Sequence, residues 1–187
     1  MKMAECTGMR RRDFLSSASL LVIGAATVKA SPFSSQSAIK GPDLPEMLSA
    51  AEAESVKDSI MATDMSNFWG KGYSCAETGF AVALRFMEKP EDLVAVAGGF
   101  GGGMMHQDLC GFLTAGIMAI GLQTGSMGVE KNVAKERCSR LVNDYWDWWV
   151  SNAPLHCSDI REGREDFKVC HRLGQLAAVR LERLLKT

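Results

Sequence analysis

Apolar residues recur every three or four positions along most of the chain, and no stretch shows the apolar–polar alternation of a strand. Leu48, Val56, Ile60, Met61, Met65 and Phe68 trace one face of a helix over about 46–69, which Gly70 and Gly72 end. Ser74 is placed to N-cap a second helix reaching about Met87. Pro90, with Glu91 and Asp92 behind it, opens a short third helix. That helix is expected to stop at Gly98-Gly99-Phe100-Gly101-Gly102-Gly103. Asp108 can cap a fourth helix, from about Leu109 to Gln123, ended by Gly125 and Gly128. A fifth spans about Glu130–Asn152 and stops before Pro154. A last one runs from about Arg164 to Leu185, with Phe167, Cys170, Leu173, Leu176 and Val179 inward. The pattern predicts an all-α protein: a single compact helical domain of about six helices without an internal repeat.

The first forty-odd residues follow a different pattern. Arg10-Arg11-Arg12-Asp13-Phe14-Leu15 precedes an apolar stretch that ends at Val28-Lys29-Ala30. A basic segment, a modest apolar segment and a small-residue cleavage site make an export signal. Two arginines, a variable residue, then Phe and Leu resemble a twin-arginine signal. The apolar stretch, residues 14–28, falls short of the roughly 18–20 residues that span a bilayer, so no stable transmembrane anchor is expected. The expected organisation is a signal peptide over 1–30, a Ser/Pro/Gly-rich linker over 31–45, and a helical domain over 46–187. The expected location is the periplasm, reached by the twin-arginine route.

Composition sharpens this picture. Of 187 residues, 47% are hydrophobic, which is globular rather than disordered. The net charge of −1 excludes the basic face of a nucleic-acid binder. It also conceals a split. Lys2, Arg10, Arg11, Arg12 and Lys29 against Glu5 and Asp13 give the first thirty residues +3, leaving −4 on the rest. The chain carries no hydrolytic triad, P-loop or dinucleotide fingerprint, which argues against a classical metabolic enzyme.

The chemistry lies in the six cysteines. Cys6 leaves with the signal. Cys138 shares a helical face with Leu141, Val142, Tyr145, Trp148 and Trp149 and reads as core. That aromatic patch, with Trp146, reads as core, as a homodimer contact or as a shield over a cofactor. Four remain. Cys75 follows the Ser74 cap, Cys110 starts the fourth helix, Cys157 follows Pro154 in a connecting segment, and Cys170 lies inside the last helix. A helix N-terminus favours a thiolate, which is the form that binds metal, enters an iron–sulfur cluster or attacks a disulfide. The glycine run, without side chains, allows a close approach of backbone to a cluster or to Cys110. The spacings match no CxxC zinc or ferredoxin motif, so buried structural cysteines are an equal reading of the residue types alone. His106, His156 and His171 each lie near a cysteine, and His106 is the best placed of them to join a site. Met104, Met105 and Met118 read as core fillers. The Arg- and Glu-rich tail from Arg161 to Lys186 reads as a solvated helical face.

At these residues the chain resembles a family of redox-active proteins named for four invariant cysteines and a CGAxxG motif, the C_GCAxxG_C_C family. The resemblance rests on Tyr73-Ser74-Cys75-Ala76-Glu77, on Ala97 through Met104, on Cys110-Gly111-Phe112-Leu113-Thr114-Ala115-Gly116, and on Cys157 and Cys170. It covers about residues 50–185. Phe112 stands where the motif has Ala, and Ala115 where it has Gly. The family is also similar to the N-terminal domain of split-Soret cytochromes, exported proteins with a non-haem iron centre. The resemblance implies a cofactor site at Cys75, Cys110, Cys157 and Cys170, with Gly101, Gly102, Gly103 and Gly111 beside it. The implied cofactor is an iron–sulfur cluster, and the implied partner is a redox protein. With no CxxCH in the chain, covalent c-type haem is not expected. Two other readings remain open: a thiol–disulfide protein using Cys75 and Cys110, and a structural, partner-binding helical domain.

Overall fold

A computed structural model describes residues 43–187. The twin-arginine-like segment, the cleavage site at Ala30 and most of the expected linker lie outside the described residues. Of the linker's last residues, Leu44 is buried in the core.

Helix α1 (Ala50–Lys57) opens at a capping box. Ser49 Oγ accepts the Glu52 N–H, and the Glu52 carboxylate accepts the Ser49 N–H at 2.8 Å. The single helix expected over 46–69 is divided. A new helix, α2 (Ile60–Asp64), starts at Ser59 and is continued by a 3₁₀ turn over Met65–Asn67. Ser59 is extended (φ −98°, ψ 122°) and accepts the Ala62 N–H, so the chain re-initiates there. The restart turns Met61 and Met65 inward and leaves Ile60 exposed, against the face expected from periodicity.

What holds the break is Glu182, a buried carboxylate from the end of the last helix. It accepts from Ser59 Oγ (2.6 Å), the Met61 N–H (2.9 Å) and Lys186 Nζ (2.6 Å). Burial acts to raise its pKa, but these hydrogen bonds outweigh burial and hold it below the usual glutamate value. The stabilisation is therefore present above about pH 4.3 and is lost as pH falls through the depressed value. Glu182→Gln is expected to remove roughly 2 kcal/mol of unfolding free energy at neutral pH. Urea titrations at pH 7 and pH 3 check this, the two proteins converging at the lower pH.

Helix α3 (Cys75–Phe86) begins at a second capping box, Ser74 with Glu77. A 3₁₀ helix over Glu91–Phe100 follows and, contrary to expectation, runs through Gly98 and Gly99. Glycine weakens a helix without forbidding it. The break comes later, where Gly102 and Gly103 take φ of +59° and +66°. The left-handed conformation continues through Met104, Met105 and Gln107, and the loop is closed by the Asp108 N–H donating to Gly103 C=O at 2.9 Å. Met105 is exposed rather than a core filler.

Helix α4 (Gly111–Gly125) carries buried residues on nearly every side of its first three turns and packs on α3, on α5 (Lys131–Asn152) and on the last helix, α7 (Lys168–Leu185). Gly174 of α7 and Gly79 of α3 leave room for the Phe112 ring, and Gly116 does so for the Tyr145 ring, where a Cβ would sit 2.5 Å from Cζ. Tyr145 and Trp149 are fully buried, and Trp146 and Trp148 are half-buried against the same core. Cys138 is partly buried against it.

Two further corrections bear on the site. A short helix, α6 (Cys157–Arg161), forms where a connecting segment is expected, and α7 starts at Lys168 rather than near Arg164. Gly163, at φ +67°, turns the chain between them. The Arg164 guanidinium spans the turn, donating to the carbonyls of Ile160 (3.2 Å), Glu162 (3.3 Å) and Leu44 (3.3 Å). Phe167, expected inward, is left on the surface. Among the described residues there is no strand, and no helix is long and apolar enough to cross a membrane.

Candidate functional site: four thiols at four helix starts

All four cysteines singled out from the sequence lie in the first turn of a helix, and each helix is different. Cys75 is the first residue of α3, Cys110 is the N-cap of α4, Cys157 is the first residue of α6, and Cys170 is the third of α7. Asp108, expected to cap α4, does not do so. Its carboxylate instead binds His156 Nδ1 at 2.9 Å.

Backbone contacts bring these helix starts together. Residues 108–110 and 155–157 meet as an isolated antiparallel bridge centred on Leu109 and His156. The Cys110 N–H donates to Leu155 C=O (2.9 Å), and the Cys157 N–H donates to Asp108 C=O (2.7 Å). Glycines permit the remaining approaches. A Cβ on Gly111 would overlap Cys75 Sγ and lie 2.9 Å from the Ala76 nitrogen. One on Gly103 would lie 2.5 Å from Asp108 O and 2.8 Å from Cys157 Cβ. One on Gly101 would meet Ser74, the cap of α3, at 2.5 Å. Gly102 has open space around it and is required for its positive φ alone. Gly101, Gly103 and Gly111 thus serve the convergence of the cysteine-bearing segments.

The thiols are electrostatically coupled. Burial pushes the Cys110 thiol well up, Cys75 and Cys170 add to the effect, and the N–H groups of Phe112 and Leu113 oppose it. Burial raises Cys157, with Cys75 adding and Arg161 opposing. Burial pushes Cys170 up to about 11, against the pull of the Arg161 guanidinium, while Cys157 and Cys75 push the same way as burial. Cys75 therefore acts on each of the other three. Tyr145, whose hydroxyl donates to Phe112 C=O at 3.1 Å, also feels Cys110, so the aromatic core adjoins the centre.

A raised thiol pKa favours the fold while the group is protonated. The reduced, metal-free protein is expected to keep its stability up to about pH 8.5, the ordinary thiol value. It should lose stability as pH rises through about 11. Thermal melts across that range check this. Cys170→Ala should flatten the alkaline fall.

The three histidines have other surroundings. His106 is exposed on the left-handed loop, His156 is held by Asp108, and His171 stacks on Trp69 at 5.6 Å, its pKa lowered by burial. All five cysteines of the described region are free thiols. Among the described residues, no three His, Cys, Asp or Glu side chains stand close enough together to hold a single metal ion. Phe112 does not crowd this centre's glycines, its ring being taken up by Gly79, Gly174 and Trp69. Arg161, read from sequence as part of a solvated face, is the last residue of α6, one turn after Cys157.

A helical protein built around four convergent thiols defines a class. Residues 73–184, which contain all four, match the C_GCAxxG_C_C family, whose members are described as redox-active proteins. The chain belongs to this family, and membership supports a redox function. Comparison with curated proteins and with solved structures gave no match.

Proposed function

We propose that Cys75, Cys110, Cys157 and Cys170 hold an iron–sulfur cluster, and that the protein transfers single electrons to a redox partner protein after twin-arginine export to the periplasm. The observation that carries this reading is that each of the four thiols lies at the N-terminal turn of a different helix, with the segments of Cys110 and Cys157 bridged and Gly111 against Cys75. The longer helices α3, α4 and α7 direct their positive ends at the sulfurs, which favours an anionic centre. Four thiols are the donor set of a Cys₄ cluster. A single tetrahedral zinc would need its sulfurs about 3.8 Å apart, from a Zn–S length of about 2.3 Å. A polynuclear cluster places its ligands on separate irons, so its four sulfurs are spread more widely.

When bound, the cluster supplies one-electron chemistry at a potential set by its surroundings. The protein's own contribution is to bring four sulfurs to one place, to line one side with Tyr145 and the aromatic core, and to present helix-start amides. A thiol–disulfide enzyme would need one thiolate of depressed pKa. Burial moves Cys110, Cys157 and Cys170 the opposite way, so none of these three is a ready attacking thiolate; a cluster would have to displace their protons on binding. Export is supported by Arg11-Arg12, Phe14-Leu15 and the site at Ala30, a route suited to a protein that folds around its cofactor first.

Anaerobic purification tests the centre. A brown protein containing both iron and acid-labile sulfide is expected. A colourless, metal-free protein whose four thiols oxidise in pairs would overturn the cluster in favour of disulfide exchange. Export is tested separately: replacing Arg11 and Arg12 by Lys should leave the protein in the cytoplasmic fraction.

A further inference from the structure

Five of the six residues from 102 to 107 have φ between +54° and +66°: Gly102, Gly103, Met104, Met105 and Gln107. Three of these carry side chains. An L-residue in this region brings its Cβ too close to a carbonyl oxygen, a cost that single residues bear and runs rarely do. Packing does not return that cost. Met105 is 69% exposed, His106 and Gln107 are exposed, and Met104 is half-buried.

The feet of this loop stand at the thiol centre. Gly101 is buried against Ser74, the cap of the helix that starts at Cys75. Gly103 is buried so close to α6 that a Cβ on it would lie 2.8 Å from Cys157 Cβ. Asp108 is the latch. Its N–H donates to Gly103 C=O at 2.9 Å, and its C=O accepts the Cys157 N–H at 2.7 Å. A strained, exposed segment closed in this way has a relaxed alternative. Once the Asp108 N–H leaves Gly103, residues 104–107 can return to ordinary backbone conformations while α4 and α6 keep theirs.

We propose that residues 102–107 form a strained cover on the Cys157 side of the thiol centre, which opens locally at the Asp108–Gly103 latch. The strain held in Met104, Met105 and Gln107 sets how often it opens. Opening uncovers the half-buried Cys157 thiol to a reagent, or to incoming iron and sulfide. The bearing on cluster loading rests on the cluster reading. The opening itself, and the access it gives to Cys157, do not.

The test uses the full chain, metal-free and reduced, as wild type, as Met104→Gly with Met105→Gly, and as Gly102→Ala. Glycine takes positive φ without strain, so the double variant relaxes the closed loop. Gly102 has open space around it, so alanine there adds strain and no clash. Amide hydrogen exchange at Asp108 is followed by NMR. Labelling of Cys157 by N-phenylmaleimide is followed by mass spectrometry, with Cys138 as internal reference. In the wild type, Asp108 should exchange through an opening insensitive to low urea, whereas the Ile120 amide in the middle of α4 should exchange only by global unfolding. The double variant should slow both Asp108 exchange and Cys157 labelling about tenfold, and Gly102→Ala should speed both about threefold. Asp108 exchange with the urea dependence of Ile120 overturns the inference, and so does Cys157 labelling that does not follow Asp108 exchange. If one variant fails to fold, the other decides against the wild type. In a protein that takes up a cluster, uptake rates should run in the same order as the labelling; a different order removes the cover from loading. A wild type that takes up none overturns the cluster reading alone, and exchange and labelling still decide the cover.

Discussion

Replacing Cys110 by serine is expected to leave a folded protein that retains less than a tenth of the wild-type iron after anaerobic reconstitution. Cys110 is the most buried of the four thiols, caps the central helix, and shares a backbone bridge with the segment carrying Cys157. A serine is well suited to the N-cap position but lacks the soft donor that a cluster iron prefers. Cys138→Ser is the matched control. Cys138 lies on α5 against the aromatic core, and its replacement should leave iron content unchanged. Iron and sulfide assays on both variants decide the matter. Full iron content in Cys110→Ser would remove Cys110 from the ligand set.

Gly111→Ala should lower stability by about 2–3 kcal/mol, while Gly121→Ala, ten residues along the same helix, should raise it by about 0.5–1 kcal/mol. Alanine is the better helix former at both positions, so propensity alone predicts a gain at each. Packing reverses the sign at Gly111. A Cβ there would overlap Cys75 Sγ and lie 2.9 Å from the backbone nitrogen of Ala76; the thiol could rotate aside, but the backbone of α3 could not without moving the helix. At Gly121 a Cβ would meet nothing within 4 Å. For a domain of this size the difference corresponds to a fall in Tm of roughly 5–10 °C against a rise of about 2–3 °C, read by calorimetry on the metal-free protein. Two melts moving in the same direction would show that α3 and α4 do not meet as closely as described.

The helical architecture and the identity of the four thiols are legible in the sequence, and the reasons are local. Ser74 with Glu77, and Pro154 after Asn152, mark the start of α3 and the end of α5 through capping and backbone rules that need no tertiary context. The break before α2 is not local, because Ser59 starts a helix there with a carboxylate from the far end of the chain. The site was read as thiols near helix starts, but only two such starts were visible. The helical start of Cys157 and the early position of Cys170 in α7 depend on a turn held by Arg164, whose acceptors include Leu44. Periodicity reports which face of a helix is apolar, but not where a turn held from elsewhere in the chain restarts the helix that follows it.

The four helix starts are strung along the chain from residue 75 to residue 170, and this sets the order in which the centre is completed. As the polypeptide is synthesised, Cys75 and Cys110 emerge well before the last cysteine exists. Contacts between such distant segments form late in folding, because the intervening chain must be ordered first. Until α7 docks against α3 and α4, the earlier thiols stand at unfinished helix ends, open to oxidation and to stray metal. A truncated or half-folded chain can assemble at most part of the sulfur set. A bundle with all four cysteine-bearing helix starts in place is thus a record that synthesis has passed residue 170.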